Sequence, residues 1–246
     1  MVEKKVELVA WLHGDEFDIE DLVVAGAKGC FSDKSSSEIQ KEISRLENQN
    51  ILNEKIMDAT SGKGHGAVLD QASFTFSIKG LSRASTLLLC SPEYGSHLQQ
   101  SQRRVSANED FPDIDKKGLK IIEKQNKLYE RMIEKGIPKE DARVVLPLGT
   151  RTAIQTNFNA REIMHLNFLS KQEKVPKEVR DTVKKMIDLA TERAPRVMKE
   201  RTNNYEPLSW FPSTNLFGNS NKTIERMLEN KSFDEVVPLG HPMSLS

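Results

Sequence analysis

The sequence has little cysteine and no excess of charge of either sign. Its 246 residues include two cysteines, Cys30 and Cys90, which lack the spacing of metal ligands, so no metal site is expected. Both stand in apolar surroundings and are predicted to be reduced core residues of a cytoplasmic protein. The 36 basic and 36 acidic side chains cancel, which argues against a general attraction to nucleic acid or to a membrane surface.

Long apolar segments are missing as well. No run of about 18 apolar residues occurs, so no transmembrane helix is predicted, and the first residues, MVEKKVELVAW, lack the apolar core of a signal peptide. The turn-rich segment 59–64 does not have the GxxxxGK[ST] frame of a phosphate-binding loop, so it is interpreted as a plain connection. We therefore expect a cytoplasmic globular protein that is long enough to bury a full core.

Apolar periodicity predicts strands and helices that are interspersed along the chain. Alternation with a period of two predicts strands over 5–12, 72–78 and 152–158. Helical spacing and cap residues predict helices over 19–30 after Asp18, 39–57 after a Ser35–Glu38 capping box, 112–136, 138–145, 159–170 and 179–198. Because the strands are few and separated by helices, the predicted class is α+β, with a mainly antiparallel central sheet flanked by helices.

The stretch from Gly64 to Val105 carries the pattern expected of a functional site. Segment 81–90, with the run Leu87-Leu88-Leu89, is interpreted as a helix that is apolar on all sides and deeply buried, which Pro92 ends because proline lacks a backbone donor. A polar run rich in hydrogen-bond donors follows over 96–104. A buried strand and a buried helix that lead into a polar segment are typical of a site built on rigid elements.

Two blocks of the sequence resemble the signature regions of the flavin-dependent thymidylate synthases, the ThyX family. The order and spacing of the matching residues fit without gaps, and the likeness covers about residues 5–198. The first block consists of Gly64-His65, segment 72–76, Ser82-Arg83-Ala84 and, most specifically, Gln99-Gln100-Ser101-Gln102-Arg103. The second block consists of segment 142–147, Thr156, Asn159-Ala160-Arg161-Glu162 and His165.

This resemblance implies a ThyX-like domain over residues 1–200 that assembles as a homotetramer, with active sites that draw on several subunits. The family's reaction is the reductive methylation of dUMP to dTMP with methylenetetrahydrofolate, NADPH and FAD. By position, the resemblance implies nucleotide contacts for Ser101, Arg103 and Arg143, and flavin-side contacts for His65, Asn159, Arg161 and His165. Asp70 stands where the family usually has a glutamate.

The centre of the family signature, an Arg-His-Arg triplet, is replaced here by Ser91-Pro92-Glu93. Two cations of a phosphate site become a hydroxyl and a carboxylate. A charge reversal about 4 Å from a phosphate costs on the order of several kcal/mol at an effective dielectric near 20, and each 1.4 kcal/mol is roughly tenfold in affinity. FAD binding in the family's manner is therefore expected to be weak or lost.

Further departures affect neighbouring positions of the same site. By the resemblance, Ser170 replaces an arginine that contacts the nucleotide, Leu87-Leu88 replace a polar pair, and 175–177 replace an Ala-Gln-Trp segment. Arg104 and Lys171 stand one position away from a usual Tyr and from the lost arginine, respectively, but neighbouring residues point in different directions. They restore the missing charges only if the backbone turns.

The retained residues also have structural interpretations. Asn159 is a good helix cap, Arg161 can pair on a helix surface, and His65 can satisfy turn carbonyls. The run Gln99–Arg103 can serve as a hydrogen-bonded structural element. Arg103 and Arg143 together favour a retained anion site, because two buried arginines without an anion would be costly.

Two functions remain open from the sequence. In the first, the chain is a non-catalytic relative that binds dUMP or another nucleotide, or serves as a partner subunit in a hetero-oligomer with an intact ThyX. In the second, it is an active flavin-dependent thymidylate synthase, or a related flavoenzyme, with rearranged ligands. The charge changes favour the first. Residues 201–246 are predicted to form a tail that packs on its own or a neighbouring subunit. Aromatic side chains are interspersed in its polar sequence, and their exposure to water would be unfavourable.

Overall fold

A central sheet of four strands organises the chain. In the computed structural model, which describes residues 4–14, 17–46, 49–61, 66–92, 94–101 and 115–198, the strands are β1 (Lys5–Trp11), β2 (Ser73–Ser82), β3 (Gly95–Gln99) and β4 (Arg151–Asn159). Their spatial order is β1-β2-β4-β3, and every neighbouring pair is antiparallel. The predicted α+β class with an antiparallel sheet is confirmed.

The alternation seen in the sequence becomes two faces of the sheet. Phe74, Phe76 and Ile78 of β2 are fully buried, as are Ile154, Thr156 and Phe158 of β4. The residues that alternate with them, such as Thr75 and Gln155, are polar and at least partly exposed. Since side chains of a strand point alternately to either side, one face of the sheet is apolar and packs on helices.

Eight α-helices and two 3-10 helices lie wholly in the described part of the chain, and a further helical segment begins at Pro195. The α-helices are α1 (Ile19–Gly29), α2 (Ser36–Ile43), α3 (Gln49–Ala59), α4 (Arg83–Leu89), α5 (Lys116–Glu134), α6 (Lys139–Ala142), α7 (Ala160–Ser170) and α8 (Lys177–Arg193). The 3-10 helices are Gly66–Gln71 and Arg143–Val145. Helices α4, α7 and α8 contact the sheet directly, while α1 packs against α2, α3 and the first 3-10 helix. None of the described helices has the length and apolar character needed to cross a membrane.

The predicted helix caps are confirmed at three positions. Asp18 Oδ1 accepts hydrogen bonds from the amides of Glu20 and Asp21, Ser35 forms the capping box with Glu38, and Asn159 caps α7. Each side chain satisfies amides that have no partner within the first turn of a helix. These local signals explain why the predicted helix starts agree with the structure.

Three sequence predictions about helices and cysteines are wrong. The helix predicted over 39–57 is two helices, because α2 ends at Ser44, whose hydroxyl bonds the Lys41 carbonyl and competes with the helical ladder. The helix predicted over 179–198 is interrupted at Ala194, which leaves helical geometry ahead of Pro195, and residues 195–198 are helical again. Both cysteines are free; Cys90 is half-buried and packs against the hydrophobic core, but Cys30, just after α1, is exposed and is not a core residue.

Helix α4 is also less buried than its sequence predicts. Its residues Ser85, Thr86 and Leu89 are buried, but Leu87 and Leu88 are 61% and 41% exposed. Only one face of this helix packs on the sheet and α8, so Leu87 and Leu88 point away from the core.

A network of hydrogen bonds and one ion pair joins four elements at one end of the sheet. Glu178, in the first turn of α8, accepts hydrogen bonds at Oε2 from the hydroxyls of Ser82 and Ser85, the former at 2.6 Å. Its other oxygen pairs with Arg151, whose guanidinium also donates to the Gly80 carbonyl at 3.3 Å. One carboxylate therefore ties the end of β2 and the start of α4 to β4 and α8.

The protonation of Glu178 reflects these contacts. Burial alone would raise the pKa of its carboxyl, but the Ser82 and Ser85 hydroxyls and the Arg151 charge outweigh burial and hold the pKa below its usual value. An acid whose pKa is lowered in the folded state stabilises the fold above its unfolded pKa, and this contribution is lost as the pH falls through the folded value.

We expect Glu178→Gln to lower the free energy of unfolding by on the order of 3 kcal/mol at pH 7, because Arg151 would lose its buried counter-charge. The difference from wild type should shrink below pH of about 4.3, the unfolded glutamate pKa. Denaturant melts between pH 3 and pH 7 measure both effects. Glu192→Gln, at an exposed position of the same helix, is the matched control and should change stability by less than about 0.5 kcal/mol. A constant difference across this pH range would show that Glu178 acts by packing alone.

Candidate functional site

The start of α7 carries three of the site residues predicted from the resemblance. Asn159 ends β4 and caps the helix, its Oδ1 accepting the Glu162 amide at 2.8 Å. The first helical amide, of Ala160, donates to the Ala72 carbonyl at 2.8 Å, which fixes the helix start against the beginning of β2. Arg161 and His165 are four residues apart, so they lie on the same side of α7.

Arg161 has an internal counter-charge. Its Nη2 lies 2.6 Å from Oδ2 of Asp70, and both side chains are about one-quarter to one-third exposed. Burial raises the pKa of the Asp70 carboxyl, and the attraction of Arg161 offsets this only in part. The other oxygen, Oδ1, is enclosed without a hydrogen-bond partner among the described residues. The charge of Arg161 is thus already balanced within this chain.

His165 is half-buried and lies against Phe168, with ring centroids 6.5 Å apart and nearly parallel planes. Burial lowers the pKa of its imidazole, because desolvation disfavours the charged form. The ring is therefore predominantly neutral at pH 7, and it can donate one hydrogen bond and accept another.

Gln99 and Gln100, in the described part of the polar run after α4, make contacts within the fold. Gln99 donates from Nε2 to Thr86 Oγ1 at 2.7 Å. The backbone N–H of Gln100 donates to the Ala153 carbonyl at 2.8 Å. The side-chain Oε1 of Gln100 accepts the backbone N–H of Ala153 at 3.2 Å. For these two glutamines, the interpretation as a hydrogen-bonded structural element is confirmed. Ser101 follows at a half-buried position beside the first residues of β4.

Arg143 lies in the second 3-10 helix and is exposed. Its Nε donates to the Glu140 carbonyl at 3.1 Å, and it forms no ion pair with any residue in the described ranges. The expectation that Arg143 is a buried arginine is wrong for the single chain. An exposed guanidinium bound to only one carbonyl keeps most of its donors available for an anion.

The two predicted sets of residues do not meet within one chain. Ser101 follows Gln100, which bonds Ala153 near the start of β4, whereas Asn159 ends this strand and leads into the helix of Arg161 and His165. Six residues of extended strand separate Ala153 from Asn159, a distance of about 20 Å. The structure therefore brings Asn159, Arg161 and His165 together and leaves Ser101 apart from them. His65 and Arg103 lie outside the described residues.

The positions that the resemblance aligns with the family's ligand residues make contacts of their own. Ser91 is exposed, and its hydroxyl donates to the Leu88 carbonyl at 2.7 Å, at the end of α4. Ser170 is buried, and its hydroxyl donates to the Asn167 carbonyl at 2.8 Å, at the end of α7. Both serines thus satisfy a carbonyl of their own helix. Pro92 is buried, while Glu93 lies outside the described residues.

Sequence reasoning missed the strand β3 and its histidine. His97 Nδ1 lies 2.7 Å from Thr156 Oγ1, and its ring meets Phe158 edge-on with centroids 5.3 Å apart. Burial lowers the pKa of this imidazole. The available signal was weak, because the inward-facing residues of β3 are Gly95, His97 and Gln99 rather than apolar residues.

Comparisons with known proteins agree with the sequence resemblance. A family model described as thymidylate synthase complementing protein (Thy1) matches residues 14–196. The flavin-dependent thymidylate synthase of Geobacter sulfurreducens is 32% identical over 195 residues, which cover 74% of this chain and 82% of that protein. The enzyme of the same name from Sulfolobus acidocaldarius is 31% identical over 206 residues, which cover 79% of this chain and 75% of that protein.

Solved structures share the fold. ThyX from Helicobacter pylori, determined with FAD and dUMP, superposes with a TM-score of 0.64 at 17% identity and covers 82% of this chain and 100% of its own. The UMP/dUMP methylase PolB from Streptomyces cacaoi, bound with 5-Br dUMP, gives a TM-score of 0.65 at 18% identity. The match covers 82% of this chain and 95% of PolB. Since the Thy1 family model spans most of the chain and relatives match it along most of their length, this chain belongs to the ThyX family of flavin-dependent thymidylate synthases.

Proposed function

We propose that this chain is a ThyX-family protein that has lost, or largely lost, the flavin reaction and that serves as a nucleotide-binding or partner subunit. The proposal rests on the hydrogen bonds that the side chains of Ser91 and Ser170 make within this chain. At both positions the family resemblance implies a ligand-binding arginine. Here each serine hydroxyl instead donates to a carbonyl near the end of a helix, α4 for Ser91 and α7 for Ser170. Neither side chain can replace the charge or the reach of an arginine.

The charge balance of the described site supports the same proposal. Arg161, a retained flavin-side residue, is paired with Asp70. The sequence adds a carboxylate at Glu93, where the family has a cation. The residues present therefore do not fit the phosphates of FAD in the family's manner, because an anionic ligand needs uncompensated donors or cations.

Nucleotide binding is proposed for Ser101, Arg103 and Arg143. Support comes from Arg143, which is exposed and without an ion pair in the described part of the chain. The phosphate of dUMP, or of another nucleotide, suits such a guanidinium because the contact can be bidentate and charge-assisted.

The alternative is an active flavin-dependent thymidylate synthase with rearranged ligands, using FAD, NADPH and methylenetetrahydrofolate. The observation in its favour is the retained trio of Asn159, Arg161 and His165, which share the start of α7. His65 would belong to the same flavin-side set. A cation close to the replaced triplet, such as Arg104, would have to compensate for Glu93 in this case.

An oligomer is part of the proposal. Within one chain, Ser101 and the α7 trio lie at different ends of β4, so a site that uses both would need more than one subunit. The exposed pair Leu87 and Leu88 on α4 gives an apolar surface suited to a subunit contact. We propose a homo-oligomer, a tetramer by the resemblance, or a hetero-oligomer with an intact ThyX, with the tail 201–246 packing on its own or a neighbouring subunit.

The purified chain should be colourless and should leave the fluorescence of added FAD unquenched, because two signature cations are absent. The double substitution Ser91→Arg with Glu93→Arg should tighten FAD binding at least tenfold, about 1.4 kcal/mol. Fluorescence titration measures both proteins. Ser37→Arg with Glu192→Arg adds the same charge at exposed positions elsewhere and should have no effect. Stoichiometric quenching by the wild type would instead establish the enzyme alternative.

Addition of dUMP should raise the melting temperature of the wild type, and Arg143→Ala should remove at least half of this shift, since a charge-assisted phosphate contact is lost. Arg103→Ala should act in the same direction. The matched control is Arg180→Ala, because Arg180 is also exposed and bound to a backbone carbonyl. An undiminished shift in Arg143→Ala would assign this residue a structural role only.

Light scattering of the purified chain should give a mass several times that of one protomer. Leu87→Ser with Leu88→Ser should reduce this mass if α4 forms the contact, whereas Leu46→Ser with Ile51→Ser, at other exposed apolar positions, should not. Co-expression with a ThyX protein that has the intact Arg-His-Arg triplet tests the hetero-oligomer. A monomeric wild type would exclude the partner role.

A further inference from the structure

The ion pair of Asp70 with Arg161 joins two helices that are distant in the sequence. Asp70 lies in the first 3-10 helix, Gly66–Gln71, and Arg161 is the second residue of α7. The two helices pack against each other, and Nη2 of Arg161 lies 2.6 Å from Oδ2 of Asp70. The side chains of Arg161 and Asp70 are 30% and 26% exposed, so the pair remains within reach of a dissolved ligand.

Only one oxygen of the Asp70 carboxylate takes part in this pair. The other oxygen, Oδ1, is enclosed and has no hydrogen-bond partner among the described residues. An arginine can serve both oxygens of a carboxylate through two parallel N–H donors, but this arrangement is not formed here. An enclosed acceptor without a donor carries a desolvation cost, so the geometry of the pair is a poor one for stability.

The electrostatics of Asp70 lead to the same conclusion. Burial raises the pKa of its carboxyl more than the attraction of Arg161 lowers it. A carboxyl whose pKa is raised on folding is held more easily as the neutral acid, and its ionised form reduces stability at neutral pH. The pair therefore links two helices without a net gain in stability from the charge of Asp70.

The charge of Asp70 does occupy the guanidinium of Arg161. This arginine lies in the first turn of α7, where the helix dipole adds to the positive potential, so the position attracts an anion. Among the described residues, Asp70 is the ion-pair partner of Arg161, and the adjacent Glu162 is buried about 100° around the helix. An anion from solution would have to displace Asp70 or share Arg161 with a like charge.

We propose that Asp70 is a specificity-determining residue that excludes phosphate-type anions from Arg161. Its carboxylate lies beside the guanidinium where a ligand oxyanion would bind, and its charge repels such a group. Removal of this charge at nearly constant side-chain volume would convert the start of α7 into an anion site. Because the excluded ligands include the phosphates of FAD, this role of Asp70 rests on the proposed loss of flavin binding and accounts for part of it.

A purely structural pair would behave differently. If Asp70 served only to hold α7 against the first 3-10 helix, neutralising it would lower the melting temperature and create no affinity for anions. If Asp70 excludes anions, neutralising it leaves stability intact and creates this affinity. The two roles therefore differ in two independent measurements.

The test uses the full-length chain and inorganic pyrophosphate, titrated by calorimetry at pH 7. All proteins carry Arg143→Ala, so that the proposed nucleotide site does not contribute. Asp70→Asn should bind pyrophosphate at least tenfold more tightly than this parent, because a negative charge beside the cation is removed. Adding Arg161→Gln should abolish the gain, and Asp70→Glu, which retains the charge, should bind no more tightly than the parent.

A matched control and a stability measurement accompany the titration. Asp188→Asn removes the same charge at an exposed position of α8 and should change the affinity by less than about twofold. Asp70→Asn should melt at or above the temperature of the parent at pH 7. This difference should disappear as the pH falls through the raised pKa of Asp70, because both side chains are then neutral.

Several results would overturn the proposal. If Asp70→Asn gains no affinity at an unchanged melting temperature, the released guanidinium does not bind anions. If the gain persists with Arg161→Gln, or if Asp188→Asn reproduces it, only net charge is responsible. A lower melting temperature without a gain would assign Asp70 a structural role. Tight FAD binding by the wild type would reject the proposed loss of flavin binding but would leave the pyrophosphate comparison unaffected, so the two failures are distinguishable.

Discussion

The pairing of β2 with β4 is the constraint on which the remaining elements depend. These central strands are antiparallel over almost their whole length, and each leads directly into a helix through its own cap residue. Ser82 ends β2 and caps α4, and Asn159 ends β4 and caps α7. Because the strands run in opposite directions, the two helices start at opposite ends of the sheet. The separation of the site residues within one chain follows from this geometry.

The internal balance of charge is a second organising feature. Arg151 pairs with Glu178, Arg161 with Asp70, and the Arg196 guanidinium with Glu20. In each pair, side chains from distant parts of the sequence join two elements, so the pairs act as cross-links of the fold. Partly buried arginines that already have a carboxylate partner contribute little to the binding of an additional anion. This balance distinguishes them from Arg143, which has no ion pair among the described residues.

Local signals in the sequence predicted much of the fold. Alternation of apolar residues located β1, β2 and β4, and the caps at Asp18, Ser35 and Asn159 located three helix starts. Strand β3 was missed because its inward residues are not apolar, and the exposure of Leu87 was missed because composition alone does not show which face of a helix is covered.

The site was less predictable than the fold. The resemblance identified which residues stand at ligand positions, but it did not reveal that Ser91 and Ser170 bond to their own helices or that Asp70 pairs with Arg161. Such contacts depend on side-chain direction and on residues far apart in sequence. Glu178 and Ser82, for example, are 96 residues apart, and no local pattern links them.

The hydroxyls of Ser91 and Ser170 have a consequence for ligand-linked stability. In a protein whose site donors wait for a cofactor, the empty state carries unsatisfied groups, and binding raises stability by mass action. Here both replaced side chains are already hydrogen-bonded, so these positions impose no comparable penalty on the chain without flavin. On the proposal that flavin is not bound, the supply of that cofactor would not change the stability of the folded chain.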